Sequence, residues 1–321
     1  MKTLFLNSKL KKCGVHQYGI RLFDILKKSK KVEYIYLELD TYNEYQIIIE
    51  NEEYDMILYN YHPHHRVMGW LNEQNIQRKT KNIGLQHDLQ ENNIFDITLR
   101  LDVTLEERIN RYNIPRPIFE DIDKLLEDYE PSSEKIKQFI SYAEEKVPIF
   151  GSFGFGFNRK GFDKIVKLIN DSYEKAIIKI VMPHAETEPS DPDVIPKCFN
   201  NITKNGITLM ITDIFLSEND ILYFLRSNTM NIFMYETHPS AGLSSVIDYA
   251  LSVKKPLAIN DASWFRHIYS DEINVFKTPI QEIVNVSEDY CKQYLDKFSN
   301  ANLIDKIDTL ILQNITFNSK Q

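Results

Sequence analysis

Two segments in the second half of the sequence combine residue types that bind phosphate groups. In the first, 149–163, an apolar run leads into three closely spaced glycines and then the adjacent cations Arg159 and Lys160. Glycines such as Gly154, close to the hydroxyl of Ser152, let a backbone approach a bulky anion, and the cations can neutralise a diphosphate. The GxxxxGK[ST] spacing of a Walker A loop is missing, and the alternation of Phe with Gly also fits a bulged strand.

The second segment, 235–248, follows a predicted strand and leads into a predicted helix. Its small residues Ser240 and Gly242, and the serines Ser244 and Ser245 at the start of the helix, leave amide and hydroxyl donors uncovered. The helix dipole favours an anion at such a place, so a diphosphate fits there. Ordinary capping of the helix by serine is the alternative interpretation.

Histidines concentrate in three segments of the first half, 13–19, 59–65 and 86–88, each of which follows a predicted strand. Five of the eight histidines lie there: His16, His62, His64, His65 and His87. Imidazole is the usual acid or base near neutral pH, so these segments are candidates for proton transfer. The His62-x-His64-His65 pattern has no carboxylate at HExxH spacing, so no metal site is predicted; plain surface loops are the alternative.

These segments need elements to position them, and the sequence supplies an alternation of strands and helices. Short apolar runs alternate with amphipathic stretches, which is typical of βαβ units on parallel sheets. The predicted strands are 3–6, 32–37, 56–59, 82–85, 94–100, 149–151, 176–182, 207–211, 230–234 and 256–260. Because ligands of such folds bind at the carboxyl ends of the strands, the loops after strands should line a crevice.

The fold prediction is therefore an α/β protein with two Rossmann-like domains that face a central crevice. A proline before a new strand places the boundary near residue 146, which gives domains 1–146 and 147–321. The last helix, from residue 287 onward, has a helical apolar spacing and can cross back to the first domain.

Composition excludes several classes of function. With 38 Lys and Arg against 46 Asp and Glu, the net charge is −8, which disfavours a nucleic-acid partner. Three dispersed cysteines and no apolar run of about 18 residues predict a cytoplasmic protein without disulfides or membrane spans. The basic stretch 27–31, together with Lys9, Lys11 and Lys12, is either a solvated surface or a peripheral contact with an anionic membrane.

At this point the second half resembles the GT-B glycosyltransferases related to glycosyltransferase family 4. The segment 153–163 is similar to the family's GxL…KGxD turn, and 240–256 to its small-residue helix that ends in a proline. The stretches 216–222 and 231–235 resemble the helix and strand between these motifs. In the first half the likeness is thinner and depends on Gly14, 59–63 and 86–88.

The resemblance implies transfer of a sugar from a nucleotide diphosphate-sugar, with UDP, GDP or another base, to a glycan or lipid-linked acceptor. It further implies that no metal or other cofactor is needed. The candidate donor-binding residues are Ser152, Gly154, Arg159, Lys160, Glu236, His238, Ser240, Gly242, Ser244 and Ser245. The candidate acceptor-binding residues are Gly14, His16, Tyr18 and His62. The candidate catalytic residues are His87, Asp88 and Glu236.

One departure from the family leaves other functions open. The family carries two glutamates separated by seven residues, whereas this chain has Ser240 and Asp248 at those places. Glu236 is the nearest carboxylate that could replace the first. The alternatives are therefore a sugar-nucleotide epimerase of the same fold, and a non-catalytic protein that binds a nucleotide-sugar or acts as a scaffold.

Overall fold

The computed structural model describes residues 1–62, 68–90, 93–186 and 188–316. The strands are β1 Lys2–Asn7, β2 Glu33–Glu38, β3 Met56–Tyr61, β4 Lys81–Gln86, β5 Ile97–Arg100, β6 Arg111–Asn113, β7 Ile149–Phe153, β8 Ala176–Val181, β9 Ile207–Thr212, β10 Met230–Phe233 and β11 Leu257–Ile259. The helices are α1 Gly14–Leu26, α2 Tyr42–Asn51, α3 Ile122–Leu125, α4 Glu134–Ser141, α5 Phe162–Ser172, α6 Val194–Asn200, α7 Glu218–Arg226, α8 Val246–Ser252, α9 Ile280–Lys297 and α10 Asn300–Thr316.

The chain divides into two compact units. Unit 1 contains the described residues of Met1–Pro117, Ser240–Leu243 and Phe298–Gln321, and unit 2 contains those of Ile118–Pro239 and Ser244–Lys297. Each unit is built around one parallel sheet, so the α/β prediction with two Rossmann-like domains is confirmed. Strands with apolar residues on both faces are typical of parallel sheets covered on both sides.

The sheet of unit 1 has the order β2-β1-β3-β4-β5-β6 with every pair parallel. Helix α10 packs into the core of this unit through Leu303 and Ile307. Its Asp308, which is buried, accepts hydrogen bonds from Tyr34 Oη at 2.8 Å and Ser29 Oγ at 2.6 Å. Helix α10 therefore groups with the first sheet although it is distant from that sheet in sequence.

The sheet of unit 2 has the order β11-β10-β7-β8-β9, again with parallel pairs. Residues 118–146 group with this unit, whereas the sequence analysis placed them at the end of the first domain. The reason is packing and polar contact: Ile136 of α4 joins the same core cluster as Phe224 of α7. Asp220 of α7 also accepts hydrogen bonds from Ser132 Oγ at 2.6 Å and Tyr129 Oη at 2.8 Å.

A buried lysine connects the unit 2 sheet to α4. Lys179 of β8 is fully buried, and its Nζ donates a hydrogen bond to the Ile140 carbonyl in the last turn of α4 at 2.6 Å. The C-terminal turn of a helix carries unsatisfied carbonyls and partial negative charge, so a cation is favoured there. Burial nevertheless lowers the Lys179 pKa from 10.5 to about 8.

Local differences from the predicted elements are few. Helix α1 begins at Gly14, so the segment interpreted as a loop over 13–19 is largely helical, because buried Val15, Tyr18 and Leu22 already follow helical spacing. Neither α6 nor the short strand β6 was predicted. In the part of the chain described here, no helix combines the length and apolarity needed to span a membrane.

Candidate functional site

Each sheet has a switch point, where the chain reverses the direction in which it adds strands. In unit 2 the switch lies between β7 and β10, and in unit 1 it lies between β1 and β3. Ligands of open α/β sheets bind outside the carboxyl ends of the strands at this point. In unit 2 the loops concerned carry Lys160 after β7 and Tyr235 after β10, which are the two segments singled out from the sequence.

Lys160 is a partly buried cation held over aromatic rings. Its Nζ lies 3.9 Å from the centre of the Tyr235 ring and 5.7 Å from that of Trp264. Within the described residues, no carboxylate forms an ion pair with Lys160. Burial, followed by the charge of neighbouring Arg159, lowers the Lys160 pKa from 10.5 to about 7. Among the described residues the Lys160 ammonium group therefore has no counterion, and it lies near the carboxyl ends of the strands, where open α/β sheets generally bind ligands.

The backbone around Lys160 explains how the group is positioned. A single 3-10 turn, Asn158–Lys160, ends at Gly161, which has a φ of +62°. A Cβ at Gly161 would overlap the Met234 carbonyl oxygen, so only glycine fits this close approach between the two loops. The Glu236 amide also donates to the Arg159 carbonyl at 2.9 Å, which fixes the loop after β7 against the loop after β10.

Arg159, the other predicted phosphate ligand, is engaged within the protein. Its guanidinium lies 3.9 Å above the Phe157 ring and forms a bidentate contact with the Glu188 carboxylate at 2.8 and 3.3 Å. A planar guanidinium that stacks on a ring and pairs with a carboxylate is well oriented. To reach a diphosphate it would exchange Glu188 for a phosphate oxygen.

Glu236 and His238 lie on the exposed part of the loop after β10. The Glu236 carboxylate is 3.1 Å from Lys164 Nζ, and its carbonyl accepts a hydrogen bond from Trp264 Nε1 at 2.8 Å. His238 is held through its backbone, since its carbonyl accepts a hydrogen bond from Ser263 Oγ at 2.8 Å. Both side chains are thus in the same unit as Lys160.

Two further candidates, Gly154 and Ser244, lie close to the Tyr235 hydroxyl. Gly154 is the residue whose added Cβ would be 3.6 Å from Tyr235 Oη, and Ser244 Oγ donates to the same oxygen at 3.4 Å. The Ser244 amide donates to the Trp264 carbonyl at 3.2 Å, so it is not the uncovered donor expected from the sequence. Ser245 immediately precedes α8 and makes no side-chain cap there.

Ser152 lies in β7 itself. Its Oγ is buried and has no hydrogen-bond partner in the described part of the chain. By contrast, Ser240 and Gly242 group with unit 1. The Ser240 carbonyl accepts a hydrogen bond from the Leu89 amide at 3.4 Å, and Gly242 lies against the His87 carbonyl.

In unit 1 the His87–Asp88 segment follows β4. His87 Nε2 lies 2.7 Å from Asn60 Oδ1, and the Tyr18 ring meets the imidazole edge-on with ring centres 5.0 Å apart. His62 Nε2 is 3.7 Å from Asp88 Oδ2. A cavity of about 120 Å³ lies beside these groups, and its lining includes Tyr61, His62, Gln86, His87, Asp88 and Thr98. The structure thus brings four predicted residues together: Tyr18, His62, His87 and Asp88.

The other predicted acceptor ligands are less available. His16 is buried in α1, and its Nε2 lies 2.9 Å from Glu38 Oε1. Burial raises the Glu38 pKa, but hydrogen bonds from His16 and Tyr36 outweigh it and leave the pKa below its ordinary value. Gly14 is the exposed first residue of α1. His64 and His65 lie outside the described residues.

The sequence patterns gave no prediction for Asn60, which contacts His87, or for Asn7 and Gly19, which pack against Asn60. Asn60 in β3 and Asn7 in β1 are fully buried and joined by a hydrogen bond of 2.8 Å, and α1 approaches them closely at Gly19. A sequence signal did exist, because Asn7 and Asn60 are polar residues near the ends of strands that are otherwise mostly apolar or aromatic. A buried amide must be hydrogen-bonded, so such a residue marks a specific polar contact.

No group of three or more His, Cys, Asp or Glu residues suited to a metal ion occurs within the described ranges.

No family model matches the sequence, and no curated protein matches it. Solved structures do match over almost the whole chain. HepE from Anabaena, solved with UDP and glucose, is 12% identical with a TM-score of 0.62, and the alignment covers 98% of this chain and 100% of that one.

Two other solved structures are similar. Sucrose-phosphate synthase from Thermosynechococcus elongatus is 11% identical with a TM-score of 0.69, covering 98% of this chain and 99% of that one. A UDP-GlcNAc 2-epimerase from Neisseria meningitidis, bound to UDP-GlcNAc, is 9% identical with a TM-score of 0.56, covering 98% and 100%. At such identities the likeness establishes architecture, and it agrees with the two parallel sheets. The chain therefore shares the two-domain Rossmann-like architecture of these structures, so the predicted GT-B fold is confirmed.

Proposed function

We propose that this protein is a glycosyltransferase that transfers a sugar from a nucleotide diphosphate-sugar to a glycan or lipid-linked acceptor. The observation that carries the proposal is Lys160, a partly buried cation over Tyr235 that has no carboxylate partner in the described chain. Leaving a charge without a counterion in such a place is unfavourable, and a bound anion removes that cost. The fold similarity supplies the class of anion, because HepE was solved with UDP and with UDP-glucose.

In this proposal unit 2 holds the donor. Lys160 contacts the diphosphate, and Arg159 joins it after exchanging Glu188 for a phosphate oxygen. Ser152, Gly154, Ser244 and Ser245 line the diphosphate site, while Glu236 and His238 contact the ribose or the sugar. Ser240 and Gly242 remain donor candidates only because of their place in the same loop of the sequence, since they group with unit 1.

The reaction breaks the bond between C1 of the sugar and the β-phosphate oxygen, and the electron pair leaves with the diphosphate. The acceptor oxygen forms the new bond to C1, and its proton passes to the His87–Asp88 pair of unit 1. Negative charge therefore increases on the diphosphate in the transition state. Lys160 is already in position to stabilise that charge, and Arg159 adds to it after it leaves Glu188, so we propose transfer without a metal ion.

Unit 1 would bind the acceptor beside His62, which lines the cavity. Gly14, His16 and Tyr18 remain acceptor candidates, but His16 and Tyr18 are buried and would have to move to reach it. A lipid-linked acceptor would bring the protein to a membrane surface, and four exposed lysines of 27–31 could contact anionic lipids there. Two of them, Lys27 and Lys31, form ion pairs with Asp24 and Asp305. Flotation with vesicles that contain or lack phosphatidylserine tests this contact.

A thermal-shift panel of UDP, GDP, ADP, CMP and dTDP with their common sugars tests the donor site. A donor at 100 times its Kd stabilises the folded state by about 2.7 kcal/mol, which raises Tm by roughly 5–10 °C. We expect one nucleotide to produce this shift and Lys160→Ala to abolish it. Lys167→Ala is the matched control, because Lys167 is an exposed lysine on α5 paired only with Asp171 among its described neighbours. No shift with any nucleotide would contradict the proposal.

A sugar-nucleotide epimerase is the second candidate, favoured by the likeness to UDP-GlcNAc 2-epimerase. An epimerase converts the donor sugar without an acceptor, whereas a transferase releases nucleotide diphosphate only when an acceptor is present. Incubating the donor alone and with candidate acceptors separates the two. Unchanged donor binding in His87→Ala and Asp88→Ala, with no turnover in these variants or the native protein, would indicate a non-catalytic protein.

A further inference from the structure

The cluster around His87 contains a fully buried amide whose orientation can be read from its neighbours. Asn60 lies in β3 with a side chain shielded from solvent. Its Nδ2 lies 2.7 Å from the Val15 carbonyl oxygen and 2.8 Å from Asn7 Oδ1. A carbonyl oxygen only accepts hydrogen bonds, so the Asn60 atom facing Val15 must be the NH2 group.

Asn7 fixes the same orientation independently. Its Oδ1 accepts a hydrogen bond from the Ser8 amide at 3.0 Å, and its Nδ2 donates to the His16 carbonyl at 3.1 Å and to Tyr36 Oη at 2.9 Å. Because the Ser8 amide only donates, the Asn7 atom that Asn60 faces is an acceptor. Rotating the Asn60 amide by 180° would place its oxygen against the Val15 carbonyl and Asn7 Oδ1, and rotating the Asn7 amide would place its NH2 group against the Ser8 amide.

The packing around the two amides leaves them no room to move. Helix α1 crosses them at Gly19, where an added Cβ would overlap the side-chain nitrogens of both Asn60 and Asn7. The Tyr18 ring, one residue earlier on the same helix, packs edge-on against the His87 imidazole. The amide pair and the imidazole are therefore held in one arrangement.

We propose that Asn60 is a positioning residue that fixes the tautomer of His87. Since Asn60 Oδ1 must be the atom 2.7 Å from His87 Nε2, and an amide oxygen only accepts, Nε2 carries a hydrogen. The neutral imidazole then has its lone pair on Nδ1. The hydrogen bond at one ring nitrogen thereby decides which nitrogen is basic.

This inference rests on the proposed function for its catalytic consequence, because Nδ1 becomes the atom of His87 that accepts a proton from the acceptor hydroxyl. The tautomer of His87 itself does not depend on the proposed function. The tautomer of His87 can be measured without substrate and without turnover, so failure of the glycosyltransferase assignment would not affect that result.

The test is a long-range ¹H–¹⁵N correlation spectrum of the histidine side chains in the full-length protein, with His87 assigned from the signals lost in His87→Ala. We expect native His87 to be protonated at Nε2 and Asn60→Ala to give a mixture of tautomers. A native Nδ1–H tautomer would overturn the proposal even if Asn60→Ala does not fold.

The matched control is Asn82→Ala. Asn82 is equally buried, and its Nδ2 donates to the Gln77 and Thr80 carbonyls while its Oδ1 accepts from Tyr59 Oη. We expect this variant to keep the His87 tautomer. With an active enzyme, Asn60→Ala should lower kcat about tenfold or more with donor KM within twofold. An unchanged tautomer in Asn60→Ala, or one equally disturbed in Asn82→Ala, would refute the role.

Discussion

The pKa of Lys160 predicts how donor binding depends on pH. In the free protein this pKa is about 7, because burial and the Arg159 charge disfavour the ammonium form. A bound diphosphate favours that form and raises the pKa, so binding above pH 7 requires uptake of a proton. The affinity should therefore be constant below pH 7 and should fall up to tenfold for each unit above it.

The size of the effect follows from the fraction of Lys160 that is protonated. Between pH 6.5 and pH 8.5 that fraction falls about 25-fold for a pKa of 7, which corresponds to a loss of about 2 kcal/mol of binding free energy. A nucleotide-sugar has both phosphates esterified, so the ligand does not titrate in this range. The assay is isothermal titration calorimetry of the nucleotide-sugar that gives the largest thermal shift.

The control for this experiment is Lys160→Arg. A guanidinium stays charged throughout the range, so its Kd should vary little between pH 6.5 and pH 8.5. Repeating the native titration in buffers of different ionisation enthalpy should reveal uptake of nearly one proton at pH 8.5. A native Kd that changes less than twofold over the range would refute the argument that a desolvated Lys160 binds the diphosphate.

Three further predictions concern stability, each measured by urea denaturation. The pKa of Lys179 is about 8 in the folded protein and 10.5 in the unfolded chain, so the unfolded chain binds more protons between these two values. The free energy of unfolding therefore rises with pH over this range, by up to about 3 kcal/mol. Lys179→Met should lack this rise, and an equal rise in both proteins would contradict the prediction. Asp220→Asn should lower the free energy of unfolding by about 1.5–3 kcal/mol at pH 7, because the hydrogen bonds to a buried carboxylate are lost. Burial raises the Asp220 pKa, but the hydrogen bonds more than offset this and leave the pKa below 3.8. The stability difference between the native protein and the variant should therefore disappear as the pH falls below 3.8. Gly161→Ala should lower the free energy of unfolding by more than about 1 kcal/mol and weaken donor binding. The control is Gly156→Ala, whose Cβ would lie 3.0 Å from a serine hydroxyl and which should lower the stability less. Equal losses of stability in the two variants would argue against strain at Gly161.

Much of the fold could be predicted because its signal is local. Apolar runs such as 176–181, separated by amphipathic stretches, predict parallel strands and helices without knowledge of their order. The missed elements are weak in this respect: β6 has three residues, Arg-Tyr-Asn, with little apolar character, and α6 contains a proline. The grouping of 118–146 with unit 2 depends on contacts to α7, which no local pattern reveals.

The candidate site was predicted unevenly for the same reason. The loops that carry Lys160 and Tyr235 could be found because a glycine-rich turn with adjacent cations is a local pattern. That Arg159 pairs with Glu188, and that the Ser244 amide donates to Trp264, depends on residues distant in sequence. Hydrogen bonds of this kind satisfy donors that the sequence alone leaves apparently uncovered.

By itself, then, the sequence determined the class of fold, the loops that follow strands, and the residue types available for binding an anion or moving a proton. Only the tertiary structure decided the state of those groups. Lys160 is a desolvated cation because Tyr235 and Trp264, far along the chain, pack around it. His87 is oriented because Asn60 belongs to a neighbouring strand of the same sheet. Periodicity is written into short stretches of sequence, whereas desolvation and hydrogen-bond direction arise from groups that only folding brings together.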